Sequence, residues 1–133
     1  MNYRTLVKHA QTARKYSYSP YSRFRVGAAI LTSDGQIFTG CNIENSSFGL
    51  TVCAERTAIF KAVSEGQKKF KAIAIVSGEE GYTAPCGACR QVLLDLAENI
   101  DVVMINRKGE MRILKMKDLL PHPFGRKNLR KRK

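Results

Sequence analysis

The stretch KAIAIVSGEEGYTAPCGACRQVLLDLAENIDVVMI, residues 71–105, decides the fold class. Lys71–Val76 is a short apolar run typical of a buried strand, and Val102–Ile105 is another. Between them, Pro85 suits the first turn of a helix, and the residues that follow predict a helix to about Asn99. Because strands joined through a helix run parallel, this stretch predicts an α/β protein.

The segments on either side of this stretch complete the order of predicted elements. Leu6, Ala10 and Ala13 recur at helical spacing, and the Asp34-Gly35 pair is typical of a tight turn between two strands. The further predicted elements are helices at 2–17, 51–65 and 116–120, and strands at 24–31, 36–39 and 112–114. The sequence therefore predicts a mixed five-stranded sheet flanked by helices, in which the first two strands pair antiparallel.

Length and composition indicate one folded domain. The chain has 133 residues, of which 44% are apolar and 26% are charged. No run approaches the roughly 18 consecutive apolar residues of a membrane span. The N-terminal segment shows no apolar stretch followed by a small-residue cleavage site, so we expect a cytoplasmic protein with no membrane partner. We predict a single domain at residues 1–125 and a separate tail at 126–133.

The predicted tail is strongly basic. The last nine residues, GRKNLRKRK, contain six basic residues and no acid, so half of the formal net charge of +12 lies there. Like charges repel one another and bury no apolar area, so we expect residues 126–133 to be disordered. Such a tail could bind nucleic acid or other acidic surfaces weakly at low salt.

Three of the four cysteines have the spacing of a metal site. Cys86 and Cys89 form a C-x-x-C pair in the first turn of one predicted helix, and Cys53 lies at the start of another. Residues three apart on a helix share a face, and a helix N-terminus favours the thiolate. Zinc takes tetrahedral sulfur ligands, and three protein ligands leave the open position of a catalytic site. We therefore predict one zinc ion bound by Cys53, Cys86 and Cys89.

Other interpretations of the cysteines remain open at this point. A lone C-x-x-C pair could be a redox pair or a chance occurrence, and Cys41 could close a structural four-cysteine site. Cys41 has no C-x-x-C partner, however, and a single cysteine near a strand end is more often a small core residue. The acid at Glu55, two residues after Cys53, favours the catalytic interpretation, although a carboxylate there could simply complement the helix dipole.

Glu55 and the cysteines together form a recognisable signature. A metal ligand two residues before a glutamate, followed downstream by Pro-Cys-x-x-Cys, is the pattern of zinc deaminases, in which the glutamate is the general acid/base. Four runs extend the match: YSRFRVGAA at 21–29, GCNIEN at 40–45, CAERTA at 53–58 and PCGACRQ at 85–91. With these runs, residues 1 to about 125 resemble the small nucleoside cytidine deaminases.

The resemblance implies a fold, an assembly and a reaction. The fold would have three layers, and the chain would form a homotetramer with active sites shared between subunits. The reaction would be the zinc-dependent hydrolysis of cytidine, and of 2′-deoxycytidine, to uridine or deoxyuridine plus ammonia in pyrimidine salvage. In this reaction Glu55 would move protons between water, the pyrimidine ring and the leaving amino group.

The resemblance also implies roles for residues around the metal. The predicted substrate-binding residues are Phe24, Asn42, Glu44, Ala54 and Phe124. Asn42 and Glu44 would bind the ribose, Phe24 would pack on the ring, and Phe124 would belong to a neighbouring subunit's site. Arg56 would bond the ligand sulfurs and offset their charge. The residues alone favour Phe24 as a core residue over a ring that packs on the substrate, and they leave a surface arginine as the alternative for Arg56.

Three other functions are consistent with parts of this sequence. A deaminase of another aminopyrimidine compound would have the same catalytic centre, and activity on cytidine separates the two. A polynucleotide deaminase would use the basic tail but usually needs further elements for binding a strand. A structural zinc module that binds nucleic acid through its tail would have no need of Glu55.

Overall fold

Five strands, five α-helices and a short 3-10 helix at Phe48–Leu50 make up the structure, a computed structural model that describes residues 2–130. The strands are β1 (Val26–Thr32), β2 (Ile37–Cys41), β3 (Phe70–Ser77), β4 (Asp101–Ile105) and β5 (Met111–Lys115). The helices are α1 (Arg4–Arg14), α2 (Ala54–Ser64), α3 (Gly87–Ala97), α4 (Met116–Leu119) and α5 (Arg126–Arg130). The predicted order of elements is confirmed, with boundaries that move by a few residues.

The strands form one mixed sheet in the order β2-β1-β3-β4-β5. The predicted β1–β2 hairpin is antiparallel, and the pair β3 and β4, joined through α3, is parallel. Strands β2 and β3, joined through α2, run in the same direction, but β1 lies between them and pairs antiparallel with both. The α/β class is therefore confirmed, and β1 takes a central position in the sheet.

Helices cover both faces of the sheet, which gives three layers. On one face, Leu6, Val7 and Ala10 of α1 pack against small residues of the central strands such as Ala29 and Ala74. The larger cluster on the other face brings residues of α2 and α3 together with residues of β1, β3 and β4. Among residues 2–130, no helix is both long and apolar enough to cross a membrane.

Gly40 of β2 allows α2 to lie directly on the sheet. A Cβ atom at Gly40 would lie 2.5 Å from the backbone nitrogen of Ala58 and 2.6 Å from the carbonyl oxygen of Ala54. Real side chains do not tolerate such distances, so the helix backbone occupies the space of a missing side chain. This contact fixes the N-terminal end of α2, which bears Cys53 and Glu55.

The C-terminal segment differs from the expectation for a tail. Residues 126–130 form α5, where disorder was predicted. Leu129 lines a groove together with Val92 and Leu96 of α3, and Arg126 lies 3.7 Å from the carboxylate of Glu98. The repulsion between like charges is thus accompanied by one apolar residue in a groove and by one ion pair, and the segment forms a helix. Residues 131–133 of the predicted tail lie outside the described residues, and the domain boundary at 125 stays a prediction.

Candidate zinc and substrate site

The N-terminal ends of α2 and α3 bring three cysteines to one point. Cys53 is the N-cap of α2, Cys86 is the N-cap of α3, and Cys89 lies one turn into α3. The Arg90 side chain donates a hydrogen bond of 2.7 Å to the carbonyl oxygen of Pro85, which fixes the turn into α3. The three sulfur atoms all lie within 4.8 Å of one another.

The sulfur geometry fits zinc. The Sγ atoms of Cys86 and Cys89 lie 3.3 Å apart, and those of Cys53 and Cys86 lie 3.9 Å apart. Tetrahedral zinc with sulfur ligands at about 2.3 Å requires a sulfur separation of roughly 3.8 Å. Cys41, at the end of β2, is not a member of the cluster. The cluster is therefore a three-thiol set with room for one more ligand, and a closed four-cysteine site is not formed.

A hydrogen bond between two of the thiols and a neighbouring arginine shift the pKa values of the cysteines. Hydrogen bonding from Cys89, aided by Arg56, lowers the pKa of the Cys53 thiol to about 5. The same contact raises the pKa of Cys89, which supplies that proton. The Arg56 Nη2 atom lies 3.3 Å from the Cys53 Sγ atom, while its buried Nε atom has no partner within residues 2–130. The arginine thus faces the sulfur cluster, where the resemblance expected it.

Glu55 lies beside the thiols and out of water. It is the second residue of α2 and is only 5% exposed. Burial, together with the charge of the neighbouring Cys53 thiolate, raises the pKa of its carboxyl group to about 7, while hydrogen bonds from its own backbone N–H and from Cys89 oppose the shift. A carboxyl group with this pKa gains and loses a proton near neutral pH, which is what a general acid/base requires.

Asn42 follows β2, and most of the hydrogen-bonding capacity of its side-chain amide is used by partners in the same chain. Its Oδ1 atom accepts hydrogen bonds from the Val26 backbone at 3.0 Å and from the Ser17 hydroxyl at 2.5 Å. Its Nδ2 atom donates a hydrogen bond of 2.7 Å to the Phe24 carbonyl oxygen. The backbone partners fix which atom is oxygen and which is nitrogen. One Nδ2 N–H is therefore left for a ligand.

Glu44 is held in a similar way by a neighbouring turn. Its Oε1 atom accepts backbone hydrogen bonds from Tyr21 at 3.0 Å and Ser22 at 3.1 Å. Its Oε2 atom accepts one from the Ser22 hydroxyl. The hydrogen bond from the Ser22 side chain lowers the pKa of this carboxyl group, so it stays ionised at neutral pH. Oε2 keeps a lone pair for a ligand.

The remaining predicted residues differ in their exposure. Phe24 is 39% exposed, so the alternative that placed it in the core is wrong. Ala54 is fully buried, but its N–H lies in the first turn of α2, where backbone donors lack a partner in the helix. Phe124 is 61% exposed and lines the groove between α3 and α5, while its carbonyl oxygen accepts a hydrogen bond from Gln91.

Two serines belong to this site but were not identified from the sequence. Ser17 bonds Asn42, and Ser22 bonds Glu44. Both lie in the connection between α1 and β1, and Ser22 falls within the run YSRFRVGAA at 21–29, in which no role was assigned to it. The signal that could have found them is the high content of hydroxyl residues in SYSPYS, residues 17–22.

Comparisons with known proteins agree with this geometry. The family described as "Cytidine and deoxycytidylate deaminase zinc-binding region" matches residues 1–105. The cytidine deaminase of Sporosarcina psychrophila is 47% identical over 130 residues, which are 97% of this chain and 96% of that protein. The cytidine deaminase of Halalkalibacterium halodurans is 48% identical over 125 residues, 93% of this chain and 95% of that protein.

Solved structures show the same fold. The crystal structure of the Burkholderia pseudomallei cytidine deaminase has a TM-score of 0.90 and 48% identity, and the match covers 93% of this chain and all of that one. The Mycobacterium tuberculosis cytidine deaminase has a TM-score of 0.82 and 41% identity, with coverage of 94% and 98%. This chain belongs to the cytidine and deoxycytidylate deaminase zinc-binding family. The family and the cluster of three cysteines together identify one zinc site per chain.

Proposed function

We propose that this protein catalyses the hydrolytic deamination of cytidine, with one water consumed and uridine and ammonia formed. One observation supports this proposal above the others: Glu55 is a buried carboxyl group with a pKa of about 7, directly beside three convergent thiols. A structural zinc site has no use for such a group. A hydrolytic site needs it, because water must lose a proton and the amino group must gain one.

The proposed mechanism assigns the proton transfers to Glu55. When bound, zinc supplies a water of lowered pKa and a positive charge near the reacting carbon. The Glu55 carboxylate accepts a proton from the attacking water and delivers it to ring nitrogen N3. The oxygen of the water has then bonded to ring carbon C4, and its remaining proton passes through the same carboxylate to the exocyclic amino group. The C4–N bond breaks, ammonia leaves, and the C4 carbonyl group of uridine forms. Burial favours these transfers because it brings the pKa of Glu55 close to neutral pH.

Arg56 offsets the negative charge of the sulfur ligands in this proposal. Three thiolates carry a charge of about −3 against the +2 of zinc, and a net negative centre would make the bound water less acidic. The guanidinium group lies 3.3 Å from the Cys53 sulfur and cannot lose its own charge at any ordinary pH. It therefore returns positive charge to the centre without occupying a ligand position.

The unsatisfied atoms of Asn42 and Glu44 fit one sugar hydroxyl. Residues two apart in an extended segment point to the same side, so the free N–H of Asn42 and the free lone pair of Glu44 face one region. One hydroxyl group can accept from the first and donate to the second. A site that binds a single hydroxyl leaves the other without a specific partner, so we propose that 2′-deoxycytidine is a substrate as well.

We also propose an assembly and a setting for this enzyme. Phe124 is exposed on the α3–α5 groove, which supports its proposed place in a neighbouring subunit's site within a homotetramer. Reduced thiols in the metal cluster support a cytoplasmic address, and the reaction supports a role in pyrimidine salvage. The basic C-terminal residues support weak, salt-sensitive binding of nucleic acid.

The direct test is turnover of cytidine, 2′-deoxycytidine, cytidine monophosphate and cytosine by purified protein under one set of conditions. We expect both nucleosides to be good substrates. Cytosine lacks the sugar partner of Asn42 and Glu44, and such a loss can reduce kcat/KM by up to about 10⁴–10⁵. The monophosphate meets the ionised Glu44. No release of ammonia from either nucleoside would refute the proposed function, and a preference for the monophosphate would refute the sugar site.

A further inference from the structure

Ser22 joins two parts of the substrate site. Its hydroxyl donates a hydrogen bond to Oε2 of Glu44 and accepts one of 3.0 Å from the backbone N–H of Phe24. One side chain thus contacts both the proposed sugar ligand Glu44 and the residue whose ring is proposed to pack on the pyrimidine. Ser22 is exposed, so it is not a core residue whose hydroxyl needs hydrogen-bond partners because it is buried.

The two oxygens of Glu44 are held by different groups. Oε1 is held by two backbone N–H groups, which any residue at positions 21 and 22 would supply. Within the described part of the chain, residues 2–130, Oε2 is held only by the Ser22 hydroxyl. The terminal torsion of a glutamate is broad, so a carboxylate fixed through one oxygen can still rotate about that contact. Oε2 is the oxygen that keeps a lone pair for the ligand.

Backbone hydrogen bonds hold the turn that carries Ser22. Arg23 adopts a left-handed conformation with φ of 59°, and its N–H bonds the Ser19 carbonyl oxygen at 2.9 Å. The Asn42 side chain bonds the backbone just after this turn: it donates to the Phe24 carbonyl oxygen and accepts from the Val26 N–H. A group on this turn therefore has a defined position relative to both Asn42 and Glu44.

We propose that Ser22 is a positioning residue for the sugar site: its hydroxyl fixes Oε2 of Glu44 at the place where a nucleoside hydroxyl must donate, and ties that place to the backbone of Phe24. This inference rests on the proposed function. Within residues 2–130 the Ser22 hydroxyl forms its hydrogen bonds with Glu44 and the Phe24 backbone and none with the metal ligands or Glu55, so it affects binding of the nucleoside and leaves the proton transfers unchanged.

The test compares Ser22→Ala with Ser22→Thr, which keeps the hydroxyl, and with Ser33→Ala, an exposed serine at the β1–β2 turn. Loss of one hydrogen bond to a charged group corresponds to a change of about 10- to 150-fold in an equilibrium constant. We expect Ser22→Ala to raise the KM for cytidine by about this factor while kcat changes little. Ser22→Thr and Ser33→Ala should stay close to wild type.

Two further measurements separate positioning from a general loss of structure. Cytosine has no sugar, so its slow turnover should be the same in Ser22→Ala and wild type; an equal loss for cytosine and cytidine would overturn the inference. In a Glu44→Gln background, Ser22→Ala should add little to the KM, because Ser22 acts through Glu44. Full additivity, or an unchanged cytidine KM in Ser22→Ala, would also overturn it. An inactive wild type refutes the proposed function instead.

Discussion

At the scale of single residues, the proposed chemistry depends most on Glu55. Replacing it with glutamine keeps the size and polarity of the side chain but removes the group that accepts a proton. A positioned acid/base contributes about 10²–10⁴ to a rate. We expect Glu55→Gln to lose at least about 100-fold in kcat for cytidine while it retains zinc, since Glu55 is no member of the thiol cluster.

The measurement pairs steady-state kinetics with metal content for each preparation. Glu65→Gln, at the exposed C-terminal end of α2, is the matched control and should behave as wild type. Near-normal turnover by Glu55→Gln, in protein that retains its zinc, would show that another group moves the protons.

Cys86 provides the second prediction at this scale. Removing one of three thiols leaves too few ligands for tight zinc binding, and part of the stability of the folded chain is lost with the metal. We expect elemental analysis to find about one zinc per chain in wild type, and much less in Cys86→Ala. Cys41→Ala should keep its zinc, because Cys41 is outside the cluster. An active wild-type preparation without metal would contradict the zinc assignment.

At the scale of elements, the position of α2 depends on Gly40. A methyl group there would lie 2.5 Å from the backbone of Ala58, so the helix must move away from β2. Overpacking of this kind usually costs about 1–3 kcal/mol. We expect Gly40→Ala to lower the free energy of unfolding in urea by that amount and to reduce activity, because Cys53 and Glu55 begin the same helix.

Gly81→Ala is the control for this prediction. A Cβ atom at Gly81 meets nothing within 4 Å, and its backbone shows no positive φ. Equal stability of the two variants would mean that α2 does not depend on contact with Gly40.

A carboxylate also links three elements at the other end of the sheet. Asp101 of β4 accepts a hydrogen bond of 2.6 Å from the Tyr3 hydroxyl and lies 2.7 Å from the ammonium group of Lys115 in β5. The contact with Lys115, and then that with Tyr3, lowers the pKa of Asp101. Burial, and then Asp101, raises the pKa of Tyr3 to about 12.

These shifts predict how stability depends on pH. Asp101 contributes stability above the ordinary carboxyl pKa of about 4, and this is lost as pH falls through its lower folded value. Tyr3 contributes stability below about pH 10, and this is lost as pH rises towards 12. In urea titrations, the free energies of unfolding of wild type and Asp101→Asn should therefore differ most between about pH 4 and pH 10. Tyr3→Phe should remove the alkaline loss and also reduce the acid loss, because the Tyr3 hydroxyl helps to lower the pKa of Asp101. A constant difference across pH would contradict the linkage.

The same elements show what a sequence can and cannot predict. Periodicity predicted every strand, because alternation and apolar runs depend on local burial. It did not place β1 between β2 and β3, since strand neighbours are chosen by long-range pairing. The resemblance assigned Asn42 and Glu44 to the sugar, yet the number of their free hydrogen-bonding atoms depends on Ser17, Ser22 and Val26. That number follows only from the folded arrangement.

At the scale of the whole molecule, the charge is concentrated at one end of the chain. Half of the formal net charge of +12 lies in the last nine residues, while the catalytic motifs end at residue 91. Leu129 of α5 lies against α3, so the two halves of this basic segment have different expected roles. Residues 126–130 include the apolar Leu129 as well as three basic side chains, whereas residues 131–133 supply the other three basic side chains.

Two truncations therefore predict different results. Removing Lys131–Lys133 should leave cytidine turnover and the free energy of unfolding unchanged. It should also flatten the salt dependence of RNA retention, because each phosphate contact on a single strand contributes a slope of about −0.7 in log K against log salt. Removing residues 126–133 should weaken retention further and also lower stability, since Leu129 leaves its groove.

Filter retention of a short single-stranded RNA at several salt concentrations gives the slopes. If the shorter truncation abolishes cytidine turnover while the assembly stays intact, the last three residues belong to the active site. If neither truncation changes the slope, the proposed binding of nucleic acid is wrong.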